Sequence, residues 1–279
     1  MKKSSAPLRS ETFGKLAVEV HADREALGRA AARAVAAYLR ETIKERGEAR
    51  VVFASAPSQD EFYATLVDAR RTGIPFDWSK VTAFHMDEYL GPAANGPQSF
   101  RHYLREHLLT YVKPGRFHGM EAEDRDTAAV CARYAALIKE KPIDLICAGI
   151  GENGHLAFND PPVADFADKE IVKRVTLDTP CRRQQVNDGA FPKLAAVPRH
   201  ALTLTVPVFA RARRLSVQVP GPRKAEAVRA TLKDPISTAC PSTILRKHPN
   251  AILYLDTASA ALALNEAQAE AAQPRRSRG

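Results

Sequence analysis

Ile143-Asp144-Leu145-Ile146-Cys147-Ala148 runs straight into Gly149-Ile150-Gly151-Glu152-Asn153-Gly154-His155. A short apolar run bounded by turn residues is the pattern of a strand buried on both faces, which is where parallel sheets place their strands. Three glycines within six residues then let the backbone turn sharply and come close to a ligand. The spacing departs from the G-x-G-x-x-G dinucleotide fingerprint, because the third glycine comes too early and Pro161 follows soon after. His155 can exchange a proton near neutral pH, and Asp160 is near enough in sequence to orient it. A lone histidine is often only structural, but the glycine-rich strand exit gives this one a site to serve.

The same alternation extends in both directions. The composition predicts strands at 50–55, 81–86, 201–205, 215–219 and 251–255. Helices are expected over 23–46 with Gly47 as the stop, from Ser58 with Glu61 as a capping-box partner, and over 99–111, 125–139 and 223–232. A further helix is expected after Thr257. Strands alternating with helices imply an α/β fold with a mostly parallel sheet covered on both faces. No repeat or low-complexity segment interrupts the pattern. One domain over 13–266 is expected, between a loose tail at 1–12 and a basic tail at 267–279.

In such sheets ligands bind beyond the carboxyl ends of the strands. Three more exits therefore matter. Met86 leads into Asp87 and Glu88, adjacent acids that are costly to bury unless a partner or a reaction holds them; solvated loop acids or a helix cap would read the same way. Pro220-Gly221-Pro222-Arg223-Lys224 opens a helix with two cations, which oppose the dipole and call for an anion unless the turn is simply exposed. Ser55-Ala56-Pro57-Ser58-Gln59 offers hydroxyls and a helix N-terminus suited to phosphate. Together these loops could supply an acid/base pair and an anion clamp.

Composition narrows the class. The net charge of +9 owes much to Lys2, Lys3, Arg9, Arg275, Arg276 and Arg278, and without these six cations the body carries +3. Basic ends of this kind are usually solvated tails, and no nucleic-acid-binding module is present. The cysteines at 131, 147, 181 and 240 are too far apart for the close pairs of a zinc or redox motif, and no metal is expected. Met1-Lys2-Lys3 has no apolar stretch behind it, and no run approaches the ~20 apolar residues of a membrane span. A reducing cytoplasm is the expected location, with neither membrane nor nucleic acid as partner.

Met86-Asp87-Glu88-Tyr89-Leu90-Gly91 and the segment from Gly149 through His155-Leu156-Ala157-Phe158-Asn159-Asp160 to Pro161 resemble signature segments of the glucosamine-6-phosphate deaminase family. The resemblance covers roughly residues 15 to 265, including Gly221-Pro222-Arg223-Lys224-Ala225 and Cys240-Pro241-Ser242-Thr243-Ile244-Leu245. It implies a Rossmann-like α/β sandwich of three layers. It also implies conversion of an amino-sugar phosphate to a ketose phosphate and ammonia, with no redox or other cofactor. By position, His155 would open the pyranose ring, assisted by Asn153 and Asp160. Asp87 would move the C2 proton to C1 through an enediol-type intermediate, and Glu88 would support the site. Ser55, Ala56, Ser58, Gly151, Gly154 and Lys224 would hold the sugar phosphate. Family members are often oligomeric, so a homo-oligomer is compatible with the resemblance.

The chain departs from that family at several points. Asn153 stands where aspartate is frequent, and Asp160 where a longer glutamate is common. Ala54-Ser55-Ala56-Pro57-Ser58 replaces a Thr-Gly-Ser-Thr-Pro loop. The phosphate arginine aligns with Gln185, leaving Arg182 and Arg183 as neighbouring candidates. The related 6-phosphogluconolactonases usually follow the histidine with a Thr-Ala-Ser-Leu-Phe-Pro type of run, whereas Leu-Ala-Phe-Asn-Asp-Pro here favours the deaminase side. Lactone hydrolysis, and a sugar-phosphate sensor without turnover, are the alternative readings.

Overall fold

The computed structural model describes residues 6–263. In chain order the strands are β1 Arg9–Phe13, β2 Leu16–His21, β3 Ala49–Phe53, β4 Val81–His85, β5 Asp87–Tyr89, β6 Arg116–His118, β7 Leu145–Ala148, β8 Val172–Thr176, β9 His200–Leu204, β10 Arg214–Val219 and β11 Ala251–Asp256. The α-helices are α1 Arg24–Arg46, α2 Asp60–Leu66, α3 Ala69–Thr72, α4 Phe100–Leu104, α5 Thr127–Glu140, α6 Thr179–Asn187, α7 Val206–Arg211 and α8 Ala225–Lys233. Eight strands form one sheet in the order β1-β2-β11-β10-β7-β3-β4-β6. Every neighbouring pair in it is parallel except β1 and β2.

Alternation along the central strands explains why the sheet needs helices on both sides. Val51, Phe53, Leu145 and Cys147 join a core with Leu27, Leu39, Phe62 and Leu104 of α1, α2 and α4. The intervening Val52 and Ile146, with Val217, pack instead with Val130 of α5, Phe209 of α7 and Val228 of α8. The result is the expected three-layer α/β sandwich. Asp144 interrupts the apolar run before β7, and its buried carboxylate accepts from the Arg50 amide and the Arg46 guanidinium, each at 2.9 Å.

Several local expectations change. Residues 9–12, expected in the loose tail, belong to β1, where Arg9 through Phe13 pair with Val20 through Leu16. The expected tail at 267–279 and most of the helix after Thr257 lie outside the described residues. Gly47 ends α1 as predicted, at φ 78°, while Asp23, expected inside the helix, is its N-cap and accepts from the Ala26 amide at 2.7 Å. The capping box from Ser58 does not form, because the Glu61 carboxylate binds the Arg24 guanidinium at 2.8 and 2.9 Å.

The largest addition is a second, antiparallel sheet of β5, β9 and β8. β5 begins one residue after β4 ends, so the chain leaves the large sheet and enters the small one at Met86. Asp87 pairs in register with Thr203 and Glu88 with Leu202. No helix among the described residues is long and apolar enough to cross a membrane.

Candidate active site

The exits of β10, β7, β3 and β4, adjacent strands in the large sheet, open together into one cavity of about 390 Å³. Its walls include Ser55, Ala56 and Ser58 after β3, Asp87 after β4, Gly151 and His155 after β7, and Lys224 after β10. Loops far apart in sequence thus meet because their strands are neighbours at the sheet's carboxyl edge.

The two adjacent acids have opposite surroundings. Successive side chains of a strand point to opposite faces, so β5 turns Asp87 and Glu88 apart. Glu88 is fully buried outside the cavity lining. Its carboxylate accepts from the amides of Tyr89, Phe100 and Arg101, from the Ser99 hydroxyl and from the Arg101 guanidinium, at 2.8–3.2 Å. Asp87 is 7% exposed and faces the cavity. Burial, then the charges of Glu88 and Asp160, push its carboxyl well above the usual aspartate range.

His155 has the opposite arrangement. Its Nδ1 lies 2.8 Å from Asp160 Oδ1. The same oxygen accepts from the Asn153 amide nitrogen at 2.8 Å, and Asn153 Oδ1 accepts from the His155 backbone amide at 3.1 Å. Burial pushes Asp160 up, but the charge and hydrogen bond of His155, with the Asn153 amide, hold it below its ordinary value. An ionised carboxylate can only accept, so Nδ1 carries the proton and Nε2 is left as a base. The shorter aspartate reaches the ring, and Asn153 holds the pair by hydrogen bonds rather than by titrating. The ring lies directly on Gly151, where an added Cβ would stand 2.2 Å from Nε2.

The cavity also holds unmatched polar groups. Ser55 Oγ is buried without a hydrogen-bond partner. Lys224 is 9% exposed and makes no salt bridge among the described residues; burial lowers its pKa, while Asp188 and Glu152 oppose that shift. A buried ammonium facing a cavity suits an anionic ligand.

Three expected contacts are corrected. Gly154 does not line the cavity; it packs against the loop before the 3-10 turn Pro241–Lys247, where its Cβ would stand 2.5 Å from Cys240 Sγ. Arg182 and Arg183 do not line it either. Arg182 donates to the carbonyls of Leu194 and Val197, and Arg183 is exposed. The face of α6 turned inward carries Cys181, Gln184 and Gln185 at the i, i+3, i+4 spacing, and the arginines fall off that face. Gln184 and Gln185 line the cavity, and Gln185 Oε1 accepts from the Tyr89 hydroxyl at 2.5 Å. Sequence reasoning also passed over Arg24, Tyr103 and Asp188. Arg24 alone carried a signal, as a cation in the first turn of a helix.

Two substitutions test this geometry. Glu88→Gln sets an amide N–H group against backbone donors that the carboxylate satisfied and should lower unfolding stability by about 3 kcal/mol, read from urea melts. Gly151→Ala must displace the His155 ring, so kcat should fall about 100-fold while the thermal midpoint changes little.

Comparison with known proteins identifies the family and the fold. Residues 22–254 match the family model described as glucosamine-6-phosphate isomerases/6-phosphogluconolactonase. A glucosamine-6-phosphate deaminase of Lactobacillus delbrueckii subsp. bulgaricus is 29% identical over 220 residues, covering 78% of this chain and 89% of that protein. One from Listeria monocytogenes is 32% identical over 209 residues, covering 75% and 85%. The solved structure of a monomeric glucosamine-6-phosphate deaminase superposes with a TM-score of 0.79 at 30% identity, covering 88% of this chain and 99% of that one. A 6-phosphogluconolactonase from Shewanella baltica shares the fold, with a TM-score of 0.70 at 19% identity over 88% and 98% of the two chains. With its family match spanning most of its length, the chain belongs to the glucosamine-6-phosphate isomerase/6-phosphogluconolactonase family.

Proposed function

We propose that the chain is an aldose–ketose isomerase/deaminase that converts glucosamine 6-phosphate, or its galactosamine epimer, to a ketose 6-phosphate and ammonia. The observation that carries this reading is one cavity lined both by an unpaired, buried carboxylate at Asp87 and by an imidazole oriented by Asp160. His155 Nε2 takes the proton of the anomeric hydroxyl as the C1–O5 bond breaks, and O5 is protonated. Asp87 then removes the C2 proton, giving an enolamine as the C1 oxygen gains a proton, and returns the proton to C1; the amine gives up one proton in exchange, so the C1 carbonyl becomes a hydroxymethyl group and a new carbon–nitrogen double bond stands at C2. Water adds there and ammonia leaves.

A carboxylate suited to this task has a pKa raised towards neutrality, so that it can both take and return a proton. Lys224 and Ser55 supply a cation and a hydroxyl for the phosphate. Hydrolysis of a 6-phosphogluconolactone would employ the imidazole for water and leave Asp87 without a role. A sensor would need neither group.

The pure protein, incubated with each amino-sugar phosphate, should release ammonia and ketose phosphate in equal amounts. Rapid hydrolysis of 6-phosphogluconolactone with no ammonia from either sugar would overturn the reading.

Asp87→Asn should reduce exchange of the C2 proton with solvent at least ~100-fold while ligand binding persists. It should also alter stability in a defined direction. The raised folded pKa means that wild-type stability is fully present below the unfolded aspartate value of about 3.9 and is lost as pH rises through the folded value. The variant should therefore melt a few degrees higher than wild type at pH 7, with the gap closing towards pH 4.

A further inference from the structure

Behind the His155 ring lies a donor set that the proposed reaction does not use in full. Cys181, buried on the inward face of α6, brings its thiol beside the His155–Asp160 pair. One ligand atom from each of His155, Asp160 and Cys181 lies within 4.8 Å of the others. Asp160 is 1% exposed, and its buried Oδ2 has no partner but the weak donor of the Cys181 thiol. A buried carboxylate oxygen served only by a thiol is poorly satisfied, and a cation beside it removes that cost.

We propose that His155, Asp160 and Cys181 form an inhibitory site for a thiophilic divalent cation, zinc in the first instance. The donor set fits by type and by charge. Nitrogen, oxygen and sulfur together are zinc ligands, whereas magnesium and calcium require oxygen shells. A neutral imidazole, a carboxylate and a thiolate around a dication sum to zero charge, the least costly state to bury. Zinc bonds of about 2.0–2.3 Å set tetrahedral ligand atoms roughly 3.3–3.8 Å apart. The 2.8 Å contact between Nδ1 and Oδ1 must therefore open slightly, and the longest separation needs to close by no more than about 1 Å. A fourth position is left for water.

Binding replaces the thiol proton, which goes to solvent, and transfers the imidazole proton from Nδ1 to Nε2. Nε2 then has no lone pair for the anomeric proton, so ring opening stops. This consequence rests on the function proposed above; the binding itself does not. The ion reaches Nδ1 only when the ring swings into the cavity, so occupation is slow and a ligand filling the cavity protects against it.

Binding is measured on the full-length, metal-stripped protein with cobalt as the spectroscopic probe and zinc by calorimetry. One equivalent of cobalt should give a thiolate charge-transfer band that zinc displaces. Cys181→Ser, confirmed folded by its melting curve, should lose the band and bind zinc at least ~100-fold more weakly, and His155→Gln should do the same. Zinc should also slow ammonia release progressively in the wild type, with relief by chelator. A band that survives Cys181→Ser, equal zinc affinity in the two proteins, or no band in the wild type would overturn the proposal. A band without ammonia-forming activity would sustain the site and defeat only the reading of the reaction.

Discussion

The structure depends on the way a three-residue strand separates two neighbouring carboxylates. Left adjacent and alike in the protein interior, Asp87 and Glu88 would repel each other and both would be expensive to bury. β5 points them to opposite faces. Glu88 meets three backbone amides, a hydroxyl and a guanidinium, so its charge is satisfied. The Arg101 guanidinium continues to Glu123, so α4, β5 and the loop before α5 are held by one ionic chain. Asp87 receives the rigidity of that anchor without its hydrogen bonds. Its raised pKa is the stored cost of that arrangement, and a reaction that needs a proton taken and returned recovers it.

The imidazole is arranged by a different route. Asp160 keeps its charge because His155 and Asn153 both donate to Oδ1, and that charge selects the tautomer of the ring. Contrast His85, two residues before Asp87 and fully buried: burial and the nearby Arg101 push its pKa down to about 3, and its Nε2 accepts from the Met120 amide. One histidine is fixed as an acceptor to hold the backbone, the other is left with a free nitrogen on a cavity. The partner at each ring sets that difference.

How much of this was legible follows from what each signal reports. The runs 81–86, 143–148 and 215–219 announced a parallel sheet, and the chemistry at its carboxyl edge followed because strand order brings those exits together. The small sheet was hidden because β5 is only three residues long and starts one residue after β4, so it reads as the loop at that strand's exit. Arg182 and Arg183 drew attention by charge, yet helical phase decided the matter: Cys181, Gln184 and Gln185 share the inward face. That phase was present in the sequence. What was absent was any sign that α6 packs there, since its contacts with β5 and the glycine-rich loop join residues such as Tyr89 and Gln185 across long stretches of chain. Glu61 misled for a related reason, because a partner on another helix outcompeted its own N-terminus.

The exchange of charge for amides on α6 has a consequence for the proposed ligand. Gln185 is tethered through Oε1 to the Tyr89 hydroxyl, which leaves its amide N–H groups to face the cavity. A neutral donor offers a phosphate direction but little Coulombic attraction. Arg24 cannot supply the missing charge freely, since Glu61 already holds it in a bidentate pair, and Arg223 is likewise held by Asp188 at 2.7 Å. Lys224 is then the one cation lining the cavity without a salt bridge among the described residues. A dianion bound by one ammonium, Ser55 and an amide is held by geometry more than by field, so affinity at that end should depend more on the positions of Ser55 and Gln185 than on ionic strength.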